Sequence, residues 1–566
     1  MNQQRALSSP DYMDSNVFVR MTDQASAVLG DFLYLDGGLM LWDSDSGVNN
    51  ILNDTLSLPL STSWNNATVS FSRVSRGVYP DQPSLSYENL WVSNDSSSFY
   101  VFGGEMQGYI GGTGPVQPML WQFKADNSGG GTWSKAGMAQ DSVYDSLSAP
   151  THALATSGNG LGFALGGASN CQTYSSPHLC AGEQTPLPGL VMFNMSSNSF
   201  SNISASGKNG YSTYGTAYGG GAQLAPTFGA EGVALFFGGQ TSGPTQIDGS
   251  SPAISLTQIA VFDPHSQTWY TQQASGNDIP EARVFFCSVG VQGDNGTYEI
   301  FMYGGVPDGW DVGATTNATA NSMDEIYVLS LPSFVWFKAD YPALNNRYAH
   351  TCQVVGKRQL LTFGGVDWAQ VNNALGESNQ SDPFTRGLGI FDMSEMTWSD
   401  SYNATAATYQ TPDVIKSYIR ANGATPSSWS DPALAQIFTM DSTTAISQSA
   451  SISGGAIAGI VIGAVAALTI VALLSWFLIR RRKRNAQRNS NQLLSPLPEY
   501  HHAPEKKAAQ AVYELDSRSR LNELPSSRLD PVELEGYNQP ADNGGDNQAT
   551  SGLRSSSVER KRLMSL

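Results

Sequence analysis

A short apolar strand ending in two glycines occurs six times along this chain, and no other feature restricts the fold as tightly. The copies are FLYLDGG, FYVFGG, GFALGG, ALFFGG, EIFMYGG and LLTFGG. They close on Gly37 and Gly38, Gly103 and Gly104, Gly166 and Gly167, Gly238 and Gly239, Gly304 and Gly305, and Gly364 and Gly365. Successive second glycines lie 66, 63, 72, 66 and 60 residues apart. A large aromatic residue trails each pair by 26 to 33 residues, at Trp64, Trp133, Phe200, Trp269, Trp336 and Trp398. Two unrelated markers that keep one period define a repeat architecture.

Each marker has a physical reason. Paired glycines at a strand end permit positive φ and close approach of a neighbouring backbone. The trailing aromatic offers a broad apolar face to bury between repeats, where a small residue would leave a void. Polar turns such as Asp263-Pro264-His265-Ser266 and Asp392-Met393-Ser394-Glu395 separate the last two strands of a repeat, as hairpin connections do. An opening strand precedes each glycine pair, as residues 348–355 precede Gly365, so every repeat reads as a four-stranded antiparallel unit. The expectation is an all-β ring of six small sheets, with a degenerate seventh left open.

Beyond the repeats the character of the chain changes. Residues 456–479 carry no charge, and as a helix they would span about 36 Å, enough to cross a hydrocarbon core of about 30 Å. Arg480, Arg481, Arg482, Lys483 and Arg484 follow at once. This reads as a transmembrane helix with its stop-transfer cluster on the cytoplasmic side. Gly455, Gly459 and Gly463 form small-xxx-small steps through which two such helices could dimerise. The first thirty residues hold no apolar stretch of signal-peptide type, so the segment 1–19 is expected to continue upstream. Residues 403–455 read as a stalk, and 480–566, rich in Ser, Pro, Asn and charge, as a disordered cytoplasmic tail. Recurring Glu-Leu pairs at Glu514, Glu523 and Glu533 suit docking to cytoplasmic partners.

Charge and cysteine agree with an exported N-terminal part. Residues 1–479 carry 15 Lys/Arg against 37 Asp/Glu, a balance of −22, and residues 480–566 carry 15 against 11, a balance of +4. An acidic surface excludes nucleic acid as a partner. The four cysteines, Cys171, Cys180, Cys287 and Cys352, all precede the apolar segment and permit two disulfides in an oxidising compartment. Cys171 with Cys180 is the favoured pair and Cys287 with Cys352 its complement. Nine glycosylation sequons lie at Asn53, Asn66, Asn94, Asn194, Asn202, Asn295, Asn317, Asn379 and Asn403, and none follows the membrane segment.

Four strands, a double glycine and a trailing Trp, in this order, resemble the kelch repeat. The resemblance covers residues 20–402 and implies a kelch-type β-propeller, six-bladed or seven-bladed. The period exceeds the typical kelch unit of about 50 residues. The surplus follows the glycine pairs, notably at 240–257 and 306–322, on what is the usual binding face of a propeller. With the helix and basic stop, the whole resembles the single-pass kelch-repeat membrane proteins of filamentous fungi. That implies a glycoprotein of the plasma membrane or another secretory-pathway membrane, its propeller outside and binding a protein or glycan without catalysis.

Kelch propellers share their fold with the copper-dependent galactose oxidases, so an enzyme is the alternative: a membrane-tethered oxidase or glycan-modifying enzyme. Four histidines precede the membrane segment. Of these, His152 and His350 sit three repeats apart and would face each other across a six-bladed pore. The oxidase's Tyr and Cys companions have no counterparts here, and no metal or other cofactor is expected. No phosphate loop, zinc-ligand spacing or nucleophile elbow occurs. A second alternative is an intracellular, membrane-anchored kelch scaffold.

Overall fold

The computed structural model describes residues 13–439 apart from 43–49, 77–83, 107–119, 139–140, 174–183, 208–209, 244, 246, 248–252, 308–323, 343–345 and 368–380. The apolar segment 456–479, the cluster Arg480–Arg484 and the tail lie outside these residues. No described helix is long and apolar enough to cross a membrane.

Six four-stranded antiparallel sheets follow one another along the described chain. Blade 1 is Ala25–Leu29, Phe32–Asp36, Asp54–Pro59 and Ser72–Ser75. The opening strands of blades 2 to 6 are Asn89–Val92, Leu154–Gly158, Gly221–Ala225, Cys287–Gln292 and Thr351–Val355. Every blade takes its four strands from its own repeat in sequence order. The opening strands pack against one another as a closed inner ring, with blade 6 meeting blade 1. Six blades are observed, and no seventh four-stranded sheet occurs among the described residues.

The glycine pairs build the joints of this ring. All twelve have positive φ, between 60° and 101°, which an L side chain adopts only with strain. At each pair the second glycine's N–H donates to a backbone carbonyl of the next blade. Gly38 reaches Leu85 O at 2.7 Å, Gly104 reaches Pro150 O at 2.9 Å and Gly167 reaches Ala217 O at 2.7 Å. Gly239 reaches Arg283 O at 2.9 Å and Gly305 reaches Arg347 O at 2.9 Å, and Gly365 closes the circle on Met21 O at 2.7 Å. Such contact leaves no room for a methyl group: a Cβ on Gly103 would collide with Pro150 O.

The aromatic markers wedge between blades, with one exception. Trp133, Phe200, Trp269 and Trp336 lie on the fourth strands of blades 2 to 5 and are buried. The indoles donate backward, from Trp133 to Thr55 Oγ1 at 3.0 Å, from Trp269 to Ser204 O at 3.0 Å and from Trp336 to Leu256 O at 2.9 Å. Trp398 holds the same place in blade 6. Trp64 does not: it precedes the fourth strand of blade 1 and pairs within a two-stranded sheet with Ser401–Tyr402. There it packs on Tyr402, ring centroids 5.1 Å apart. The reason is topological, since blade 1 needs a surface for the returning end of blade 6.

The seam between blades 6 and 1 carries further bonds. Gln353 Nε2 donates to Ser26 O at 2.8 Å, and the hydroxyls of Ser26 and Thr351 lie 2.6 Å apart. Between blades 5 and 6 the opening strands are joined covalently by the Cys287–Cys352 disulfide. Cys171 is also disulfide-bonded, and its expected partner Cys180 lies outside the described residues.

The stalk begins later than residue 403. Residues 403–439 form a strap on the face that carries the hairpin turns. Asn403 N donates to Gln359 Oε1 beneath blade 6, and Thr411 Oγ1 accepts from Asp294 N beneath blade 5. The helix Asp413–Asn422 buries Ile415, and after the helix Pro432–Ile437, Phe438 packs against Phe228 and Phe334 of blades 4 and 5. Apolar residues spaced along this segment are why it folds back instead of extending.

Two measurements check this reading. Gly103→Ala is expected to lower unfolding free energy by about 2 kcal/mol or more. Gly137→Ala, whose added methyl would meet nothing within 4 Å, should stay within about 0.5 kcal/mol. Cys287→Ala with Cys352→Ala opens a cross-link over 65 residues and should cost about 2–4 kcal/mol in denaturant unfolding.

Candidate functional site

Two residues after each carbonyl that accepts a glycine bond, the chain turns into an opening strand through a left-handed residue. These residues are Asp23, Tyr87, His152, Gly219, Phe285 and Ala349, with φ between 53° and 65°. They hydrogen-bond to one another around the axis. Tyr87 N donates to Asp23 O at 3.0 Å, Gly219 N to His152 O at 3.0 Å, Phe285 N to Gly219 O at 2.7 Å, Ala349 N to Phe285 O at 3.3 Å and Asp23 N to Ala349 O at 3.0 Å. The six form a collar. It stands at the end of the propeller from which the long insertions after the glycine pairs depart, opposite the strap.

Half of the collar is aromatic, and further rings pack against it. His152 stacks on Tyr87 at 3.7 Å and on Tyr218 at 4.7 Å, and meets Phe285 edge-on at 5.5 Å. Phe285 lies 6.4 Å from Tyr348. Burial against these rings holds the His152 pKa down to about 3, so the imidazole is neutral. Its Nδ1 is 2.9 Å from Thr151 Oγ1.

The charged member of the collar is Asp23. Burial raises its pKa to about 7, outweighing the Thr22 and Tyr87 hydroxyls and Arg20, which favour the carboxylate, while Glu105 adds to the rise. Thr22 Oγ1 donates to Asp23 Oδ2 at 2.9 Å. Glu105 is itself pushed up by burial, although it accepts from Asn170 Nδ2 at 2.8 Å.

Inside the collar an axial cavity of roughly 530 Å³ runs along the opening strands. Its size falls in the range of small-molecule sites. Serine, threonine and glutamine are among the residues that line it, together with Asp23 and Glu88 and with no lysine or arginine. Several of the polar side chains already bridge blades: Gln223 Nε2 donates to Ser288 O at 2.8 Å, and Ser157 Oγ accepts from Val92 N at 2.9 Å.

The two histidines expected to face each other do not hold equivalent positions. His152 is in the collar, but the matching residue of blade 6 is Ala349. His350, one residue on, is buried against Tyr303 at 5.2 Å. Desolvation and the neighbouring Arg347 charge hold it well below the ordinary imidazole pKa. Among the described residues, the cluster that brings three metal-ligating side chains together is Cys287, His350 and Cys352. Its two thiolates are consumed by the disulfide.

The sequons separate by exposure. Asn53, Asn94, Asn202 and Asn403 are exposed and Asn194 is half-buried. Asn66 is corrected: it is buried, and its amide nitrogen donates to Leu388 O at 3.1 Å, which leaves no place for a glycan. Asn317, Asn379 and the Asn295 side chain lie outside what is described. Sequence reasoning missed the collar. Its members keep the repeat spacing, but Asp, Tyr, His, Gly, Phe and Ala share no residue type, so no motif marks them.

No family model matches the chain. A Kelch repeat-containing protein of Arthroderma benhamiae is 25% identical over 433 residues, which is 71% of this chain and 59% of that protein. The chain thus spans about three-fifths of its relative's length. The repeat likeness and the six sheets agree. The described residues form a six-bladed β-propeller, and the chain is similar to that Kelch repeat-containing protein. Among solved structures, that of YjhT aligns at a TM-score of 0.43 and 11% identity, covering 68% of this chain and 99% of that one.

The raised carboxyl pKa values give a pH dependence with a definite sign. Asp23 keeps its proton in the folded state up to about pH 7 and loses it near its ordinary value of 3.8 when unfolded. Its contribution to stability is therefore full below about pH 4 and falls away as pH rises to about 7. Urea unfolding across this interval should show stability declining with pH, and Asp23→Asn should make the decline shallower.

Proposed function

We propose that this protein is a non-catalytic recognition protein of the cell surface. In this reading a kelch propeller, held outside a membrane by the apolar segment 456–479, binds an external protein or glycan through its collar face, and the tail meets cytoplasmic partners. One observation carries the choice of face. The collar and the points where the chain leaves the glycine pairs share one end of the propeller, and the strap 403–439 occupies the other. Loops on a rigid scaffold are where recognition residues collect, and a kelch propeller is a fold suited to protein binding.

Among the described residues no two imidazoles converge at the axis, which favours binding over copper chemistry, because a copper site needs imidazoles directed at one point. The acidic ectodomain and the cysteines in disulfides accord with an exported location.

Protease added to intact cells should remove the propeller, and deglycosylation should shift the full-length protein's mobility. A propeller protected until permeabilisation would overturn the cell-surface reading. For the binding face, the purified full-length protein on glycan and protein arrays should lose its hits when the 306–322 insertion is shortened. Unchanged hits after that deletion and after removal of the 240–257 insertion would move the site elsewhere.

A further inference from the structure

On the face opposite the collar, one carboxyl is shut beneath the strap. Glu299 stands second in the blade 5 strand Tyr298–Tyr303 and is 0% exposed. Ser330 Oγ donates to its Oε1 at 3.4 Å, and Oε2 is left without a hydrogen bond of its own. The nearby Thr297 hydroxyl donates to Asp294 O at 3.0 Å. Three residues of the strap close over this carboxyl. Glu299 Oε2 and Thr411 Oγ1 flank one point, 2.1 and 2.6 Å from where a Cβ on Gly293 would stand. The Tyr409 hydroxyl is also buried without a partner, and burial, then the charges of Glu299 and Asp294, push its pKa up. Lys416, on the helix Asp413–Asn422, pairs with Asp294 at 3.2 Å and favours the Glu299 carboxylate from there.

We propose that Glu299 is a proton-operated latch for the strap. With its proton on, it lies neutral beneath Tyr409, Thr411 and Lys416, and residues 409–422 stay on blade 5. Once the proton passes to solvent, the carboxylate drives that stretch off the blade. This regulation is independent of which face binds a ligand. A carboxylate sealed from water with one long hydrogen bond is costly, and undocking hydrates it. The strap gives way before the blade does, because the strand of Glu299 is paired on both sides, with Cys287–Gln292 and Ile326–Leu331. The stretch above it is held to blade 5 by the bond from Asp294 N to Thr411 Oγ1 at 2.9 Å, the Lys416–Asp294 pair and a few apolar contacts. Segments with few such ties open locally at a fraction of the cost of global unfolding. Release uncovers Ile415 and parts the ring contacts of Tyr409 with Phe301 and Tyr418 with Phe337.

Every neighbouring element contributes to the sign. Burial is the largest influence on the Glu299 carboxyl and raises its pKa to about 7; the Thr297 and Ser330 hydroxyls and Lys416 act against the rise, and Asp294 adds to it. Tyr298 on its own strand and Tyr409 on the strap are neutral, their pKa values pushed up chiefly by burial. Val291, its pair on the opening strand, brings no charge. With the strap off, the carboxyl returns toward its ordinary value of 4.5. Docking is therefore tightest below about pH 4.5 and weakens as pH rises through about 7.

The test is hydrogen exchange of the full-length protein in nanodiscs, read by mass spectrometry between about pH 5 and pH 8 with intrinsic exchange rates divided out. Protection of the Asp413–Asn422 amides, taken relative to the blade 2 strand Ser98–Phe102, should fall by about tenfold or more across this range. Glu299→Gln, which fixes the neutral form, should keep the ratio level at its acid value. If that variant does not fold, Lys416→Met should move the midpoint of the fall to higher pH, because it removes a cation that favours the carboxylate. A ratio that stays level in the unaltered protein would overturn the latch, as would a fall that persists in folded Glu299→Gln or a midpoint that Lys416→Met leaves in place. Array hits on the collar face do not enter this measurement, so its failure is distinct from failure of the binding-face reading.

Discussion

The structure depends on a single backbone hydrogen bond made six times, from the N–H of a second glycine to a carbonyl of the next blade. The bond draws two backbones together where each would otherwise carry a Cβ, and it needs a left-handed turn at the strand end. Glycine alone meets both demands without strain. Because the sixth bond runs from Gly365 back to Met21, the ring closes without any blade lending a strand to another. Closure rests instead on this bond, the collar bond from Asp23 to Ala349, the side-chain bridges from blade 6 to Ser26 and the two-stranded pairing of Ser401–Tyr402 with Trp64–Asn65.

Everything outward of these joints is packing, and everything inward of them is the site. Buried aromatics fill the wedge that opens between blades with distance from the axis, and each indole that donates backward ties a blade to its predecessor. At the axis the blades converge, and the residue after each joint must take positive φ whatever its side chain. Non-glycine residues there, Asp23, Tyr87, His152, Phe285 and Ala349, bear conformational strain of about 1–3 kcal/mol each. The surrounding hydrogen bonds hold that strain in place. An acid, three rings and a methyl stand at these five positions, where the repeat shares a backbone conformation and not a residue type.

The repeat was legible because glycine and tryptophan perform jobs that few other residues can, at positions every blade shares. Trp64 shows the limit of that logic: it keeps the spacing, yet the ring's closing contact moves it to a different sheet. The histidines show another limit. His152 and His350 sit three repeats apart but differ by one residue in phase, and one residue along a strand turns a side chain from the axis to the seam between blades. Residues 403–439 read as a spacer because their apolar residues are sparse, and they are strapped to the turn face because Ile415, Leu434 and Phe438 find cavities there.

Sequence alone determined the six repeats, the glycine joints and the cysteines available for pairing, since each of these follows from residue type and period, and the folded chain decided for six blades over seven among the described residues. The folded ring decided which residues meet on the axis, that Asn66 is inaccessible and that Asp23 is buried in the collar. Those outcomes depend on contacts among residues about 65 to 330 positions apart, set by three-dimensional convergence of six backbones. A one-dimensional pattern carries no record of such contacts when the residues concerned differ from blade to blade.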